Sequence, residues 1–370
     1  LDRFQFWRFN HLARPRPMPE SFYAAPLLTI RPTQAGRQAL YYRIAGLGLR
    51  LTADLPVHIQ LQCLRLLSVL IGTLTIAAAW MALKHAAPDQ WTAIAAMAVI
   101  LFNPQVSFIF SSVNSDILLN CFAACTFWML FSWLSTNRPE RAVLMLGCIA
   151  AAILTKRAGL LLLAPAATAA LLQLIRRRGR RSLAGTALLV EWIVFTGFLV
   201  VPRVAPHAYR RLLLLIADQF TLAGTAPAAS QVDWSLFFTV LGKSFLFNAG
   251  WLLHPAPKFY YLAWGGIYLA TGGTLVFHLA TRRLLAERFG ERILVALAMI
   301  VTVLGAVVLT YGRSQALAQG RYLFPALVPI ALLTGRGLAL LPPKIGKSCL
   351  ILLMALDLGA MIVTIRAFHL

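Results

Sequence analysis

The chain has 370 residues, 59% of them hydrophobic and only 12% charged, with a mean hydropathy of +0.74 and a formal charge of +22. That leaves far too little polar surface for a soluble enzyme of this length. The basic residues stand in short clusters between apolar stretches rather than along one aromatic-laced face, which points to anionic membrane lipids as partners and away from nucleic acid.

Residues 1–61 are polar, basic and proline-rich at their start (Arg14, Pro15, Arg16, Pro17, Pro19) and lack the apolar core of a signal peptide. They read as an extracytoplasmic segment, the remainder of a first outer loop, with a first membrane span expected upstream of Leu1. Residues 62–370 read as an all-α, multi-pass transmembrane domain. A bilayer core about 30 Å thick takes about 20 apolar residues of helix to cross. By that measure spans are expected at 62–83, 90–111, 117–135, 142–155, 158–175, 184–202, 259–280, 293–311, 322–341 and 348–366, about ten in all.

Charge assigns the sides. The run Arg176, Arg177, Arg178, Arg180 and Arg181, the group Arg282, Arg283, Arg288 and Arg292, and the pair Lys344 and Lys347 fall on one side, which the positive-inside rule makes cytoplasmic. The turn after Ser111, the turn at Lys156, the long loop 203–258 and the loop ending at Arg321 then lie outside. Two short spans separated only by Lys156, Arg157 and Ala158 form a hairpin with two cations at its tip. The loop 203–258, broken by prolines, suits helices lying on the membrane. Cys121 and Cys125 share a helix face, but with no His or acidic partner at ligand spacing they read as packing thiols, and no metal site is assigned.

Four polar clusters meet on the outer side. Ser111-Ser112-Val113-Asn114-Ser115-Asp116 joins two apolar runs, where Asp116 reads either as a functional carboxylate or as a helix N-cap. Lys156 and Arg157 stand opposite the anchoring arginines and suit a phosphate or pyrophosphate, the alternative being cations snorkelling to the interface. Gln319-Gly320-Arg321-Tyr322 offers a guanidinium and a phenol where a span begins, or a plain interfacial belt. Lys243, Ser244 and Phe245 with Asn248, Trp251 and His254 form a polar-aromatic loop suited to a sugar or to covering a pocket, or again an interfacial anchor.

In order and placement these pieces resemble the GT-C membrane glycosyltransferases, and most closely a bacterial integral-membrane family (a domain of unknown function) allied to them. The resemblance runs through Ala39-Leu40-Tyr41-Tyr42, Leu64-Arg65-Leu66-Leu67-Ser68, Asn103-Pro104 to Asn114-Ser115-Asp116, Leu154-Thr155-Lys156-Arg157-Ala158-Gly159, Lys243-Ser244-Phe245 to Gly250-Trp251, and Gln319-Gly320-Arg321-Tyr322 with Pro325. It implies a GT-C-like fold and transfer of a sugar from a polyprenyl-phosphate donor to a saccharide or lipid acceptor at the outer face of the cytoplasmic membrane. Carried residue by residue, it implies Asp116 as a catalytic acidic position and Lys156, Arg157 and Arg321 as contacts to the lipid phosphate. Asn114, Lys243, His254, Gln319 and Tyr322 complete the expected substrate-binding set.

The sequence departs from the family where a catalytic acid is expected in the first outer loop. Only Asp2 and Glu20 precede Tyr41, neither in a paired-acid setting, and Gln38-Ala39 replaces the usual Pro-Pro. The implied roles make chemical sense. Cations beside a departing phosphate stabilise its growing charge, and an acceptor hydroxyl needs a carboxylate to take its proton. No cofactor is assigned, with a divalent cation left as an option. The competing readings are a transporter or flippase of a lipid-linked saccharide and a noncatalytic scaffold subunit.

Overall fold

A computed structural model describes residues 39–177, 234–248, 254–281, 289–311 and 319–369. The helices are α1 (Ala39–Leu51), α2 (Val57–Ala86), α3 (Gln90–Leu101), α4 (Pro104–Phe110), α5 (Asp116–Thr136), α6 (Pro139–Thr155), α7 (Leu163–Arg177), α8 (Trp234–Leu246), α9 (Lys258–Ala280), α10 (Phe289–Tyr311), α11 (Leu327–Leu340) and α12 (Pro343–His369). Single 3-10 segments, Arg157–Leu162 and Gly320–Ala326, lead into α7 and α11. Among the described residues the extended structure is one short antiparallel bridge between Asn248 and Pro255.

Helix α5 is the centre of the bundle, with 78% of its apolar window buried, while α12 at the rim buries 17%. Its partners are α2 and α6, and α11 lies between α3 and α9. Glycines set that second contact. A Cβ at Gly335 would collide with the Ala96 backbone of α3, and one at Gly337 with Thr271 of α9, so small residues let these helices touch backbone to backbone. At the end of α5, Asn137 takes a left-handed conformation (φ 54°), its N–H closing on the Trp133 carbonyl at 2.8 Å, and Pro139 opens α6.

Among the described residues seven helices are long and apolar enough to cross a membrane, or eight if a bent pair counts as one span, against the expected ten or so. The expected span 184–202 lies outside the described residues, and α6, at 17 residues, falls short of a full crossing. The expected continuous span 90–111 is broken. Helices α3 and α4 meet at 61°, because Pro104 denies its N–H to the helix and disfavours helical backbone at Asn103. Asn103 instead caps α4, its Oδ1 accepting from the Gln105 N–H at 3.0 Å. In the loop 203–258, the described helix α8 has 13 residues, too few to span.

Candidate functional site

The break after α3 and α4 delivers the segment 111–115 to the start of α5. Asn114 organises it: its Nδ2 donates to the Ser112 hydroxyl and to the Ile109 carbonyl, and its Oδ1 accepts from the Ile117 N–H at 3.2 Å. The cap on α5 is therefore supplied by Asn114, and the Asp116 carboxylate is not spent on capping. Asp116 is the first residue of α5, where the helix dipole favours an anion, and it is only 6% exposed.

Its partners arrive from two distant stretches of chain. Helix α6 ends at Thr155, and Lys156 drops into extended backbone (φ −158°, ψ 136°), its N–H still closing on the Ala152 carbonyl at 2.8 Å. The turn that follows lies flat on α6, because Gly159 sits where any Cβ would strike the Ala152 and Ile153 backbone. This reversal buries Lys156 and aims its Nζ at Asp116 Oδ1, 2.5 Å away. From the other direction, Arg321 brings its Nε to 3.7 Å from Asp116 Oδ2. Tyr322 sits beside both cations, with Lys156 Nζ 5.9 Å and Arg321 Cζ 5.4 Å from its ring centre. One buried carboxylate thus stands between two cations and an aromatic face, an arrangement that membrane-embedded chains retain for function.

A second layer holds Arg321 in place. Ser244 on α8 accepts the Gly320 N–H at 2.7 Å and donates to the Val240 carbonyl at 2.6 Å. Gly320 itself presses on the Phe245 backbone, leaving no room for a Cβ. Helix α8 is tied in turn to the α3–α4 break: Asn103 Nδ2 donates to the Phe245 carbonyl at 3.2 Å, and the Asn248 N–H donates to Gln105 Oε1 at 2.9 Å. Tyr41 of α1, 1% exposed, packs near the Ser68 hydroxyl and the Asn114 backbone, and burial raises its phenol above the ordinary value.

Of the residues expected at the site, the structure brings Asp116, Lys156, Arg321 and Tyr322 together, with Asn114 as the organiser of the turn. Arg157 opens the 3-10 segment directly after Lys156, half-buried, and Gln319 precedes Gly320, its carbonyl accepting the Tyr322 N–H at 3.1 Å. Lys243 sets its Nζ 5.6 Å from the Tyr261 ring centre. His254 belongs to the two-residue strand His254–Pro255. Asp2, Glu20, Gly250 and Trp251 lie outside the described residues.

Sequence reasoning passed over Asn120, one turn below Asp116. Its amide is 3% exposed, neither polar atom has a hydrogen-bond partner, and it lines a small cavity with Thr75, Ile100, Phe110 and Phe324. An amide four residues after Asp116 inside an apolar run was the available signal. Among the described residues no three or more His, Cys, Asp or Glu side chains converge to hold a metal, and the one carboxylate of the cluster already faces two cations.

Residues 26–330 match the family profile described as "Predicted membrane protein (DUF2142)". Among solved structures, the crystal structure of ArnT from Cupriavidus metallidurans bound to undecaprenyl phosphate is similar at 18% identity and a TM-score of 0.51, over 84% of this chain and 51% of that one. The apo crystal structure of the same ArnT aligns at 17% identity and a TM-score of 0.48 over the same shares. This chain therefore spans about half the length of the ArnT chain, 51%. No curated protein matches it. ArnT is a GT-C glycosyltransferase, and the multi-pass helical fold seen here is of that type.

Proposed function

The chain belongs to the DUF2142 family of predicted membrane proteins, and from its site we propose that it transfers a sugar from a polyprenyl-phosphate-linked donor to a saccharide or lipid acceptor at the outer face of the cytoplasmic membrane. The observation that carries this reading is the buried cluster in which Lys156 and Arg321 flank Asp116 at the ends of three membrane helices. Cations fixed in a low-dielectric interface suit a lipid phosphate, whose head sits at that depth while its tail stays in the bilayer. The ArnT structure of the same fold holds undecaprenyl phosphate, which supports this class of lipid. The opposite end of the bundle carries Arg176, Arg292 and Arg336, and by the positive-inside rule that end is cytoplasmic and the cluster faces out.

In the reaction, the acceptor oxygen forms a bond to the anomeric carbon of the sugar. The bond from that carbon to the phosphate oxygen breaks, and its electron pair leaves on the lipid phosphate. Lys156, Arg157 and Arg321 neutralise the charge that develops there, and Asp116 takes the acceptor proton. Lys156→Met tests the phosphate reading, because it keeps most of the apolar stem and removes the cation. The parent protein in lipid nanodiscs is expected to bind farnesyl phosphate, and the variant to bind at least about tenfold more weakly. A parent that binds farnesyl phosphate no better than farnesol would sink the proposal.

A further inference from the structure

The cluster contains a tension that the reaction above does not resolve. A carboxylate clamped by an ammonium at 2.5 Å and a guanidinium at 3.7 Å is a poor proton acceptor, since both cations stabilise its charged form. The same two cations are the ones assigned to the lipid phosphate. Lys156 and Asp116 are each 6% exposed, so in the free protein the ammonium is turned inward onto the acid. Tyr322, beside both cations, offers them a face that survives a change of anionic partner.

We propose that Asp116 is a placeholder for the donor phosphate: it occupies Lys156 and Arg321 in the free protein, and an arriving lipid phosphate displaces it from them and so frees it to act as a base. This rests on the polyprenyl-phosphate reading and adds to it a coupling between donor binding and catalytic competence. A phosphodiester donor offers the cations one negative charge on two free oxygens, the equal of the carboxylate it replaces, and binding of its polyprenyl tail and sugar tips the exchange in its favour. With the cations transferred, Asp116 regains basicity beside the sugar that it must serve, and no base is exposed while the donor site is empty. The turn at Lys156 and the 3-10 segment at Arg321 supply the flexible side-chain reach, while Asn114, Ser244 and Gly320 hold the backbone still.

The placeholder costs affinity, because donor must displace it, and removing it should return that affinity. Asp116→Asn is therefore expected to bind farnesyl phosphate more tightly than the parent, on the order of tenfold, while a structural role would lower affinity; a carboxylate that merely stood near the site would also repel the anion, and the cross-link below separates that case. A second measurement uses the unaltered protein. A zero-length carbodiimide, which takes up the water lost, should condense Lys156 Nζ with the Asp116 carboxylate into an amide detectable by peptide mass spectrometry. Saturating farnesyl phosphate should suppress that cross-link severalfold, and farnesol should not. Equal or weaker binding by Asp116→Asn overturns the proposal, as does a cross-link that is absent in the free protein or undiminished at saturation. If Asp116→Asn does not fold, the cross-link decides alone. A parent that fails to bind farnesyl phosphate at all defeats the phosphate reading instead, so the two failures are distinguishable.

Discussion

At one end of the bundle Lys156 meets Asp116 with side chains only 8% and 9% exposed; at the other, Arg176 meets Glu291 at 3.5 Å with its guanidinium 38% exposed, and Arg336 meets Asp89 at 2.9 Å with that carboxylate 44% exposed. The far-end pairs also have ordinary structural work. Asp89 caps α3 through the Thr92 N–H at 2.7 Å, Arg176 caps the Leu134 carbonyl at 3.2 Å, and Arg292 reaches the Ser135 hydroxyl at 3.0 Å. In each of these pairs one partner stays open to water, although Glu291 and Arg336 are themselves only 10% and 14% exposed, and pairs so solvated contribute about 0–1 kcal/mol each. A buried pair is different, because desolvation offsets most of its attraction and an apolar substitute often does as well or better. Stability therefore accounts for the far end and not for the near end, and the buried cluster is the part of the chain that a functional account must explain.

That contrast breaks most visibly if one partner is removed. Asp116→Ala leaves the Lys156 ammonium buried without its carboxylate, and a loss of about 3–5 kcal/mol is expected, measured as reversible unfolding in detergent. Replacing both, as Asp116→Leu with Lys156→Met, should return stability to within about 1 kcal/mol of the parent or above it, yet leave no measurable binding of farnesyl phosphate. A double variant that remains as unstable as Asp116→Ala would mean that the pair is structural after all.

Next in size is the support behind Arg321. Ser244→Ala strands the buried Gly320 N–H, and a cost of about 1–3 kcal/mol is expected. Because Ser244 positions Arg321 without touching donor, the variant should weaken binding of farnesyl phosphate and leave the solvated far-end pairs unaltered. Ser244→Thr, which restores the acceptor oxygen, should recover most of the binding. Binding unchanged in Ser244→Ala would detach α8 from the site.

How far the site could be read from the chain follows from which residues advertise themselves locally. Asp116, Lys156 and Arg321 each interrupt an apolar run at its boundary, so hydropathy marks them and alternation of charge puts them at one end. That Lys156 and Arg321 converge on a single carboxylate depends on how α6 and α11 pack against α5, over separations of 40 and about 200 residues, and no local pattern carries that. The Asn103-Pro104 break was announced by its proline and masked by the apolar residues on both sides, which made 90–111 look continuous. The links from Asn103 and Gln105 to Phe245 and Asn248 span more than 140 residues and have no local signature. Lys243 meets the same limit: its ammonium lies by the Tyr261 ring, a pairing that the loop's own pattern does not give.

The smallest expected effect closes the comparison from the far side. A double-mutant cycle on Arg176 and Glu291, with each changed to Ala alone and together, is expected to give a coupling below about 1 kcal/mol. The reason is geometric: at 3.5 Å, with the guanidinium 38% exposed, water competes for the arginine and mobile ions screen it, even though Glu291 is only 10% exposed. The same coupling should fall further when salt is raised from about 0.1 M to 1 M, where the screening length drops from about 10 Å to 3 Å. A matching cycle on Asp116 and Lys156, both sheltered from solvent, should keep its coupling over that range, since ions that cannot enter cannot screen. The salt response therefore separates the two ends even if their raw couplings were alike. A near-end coupling that decays with salt as the far-end one does would place Asp116 and Lys156 in water, and the argument for a buried, functional cluster would go with it.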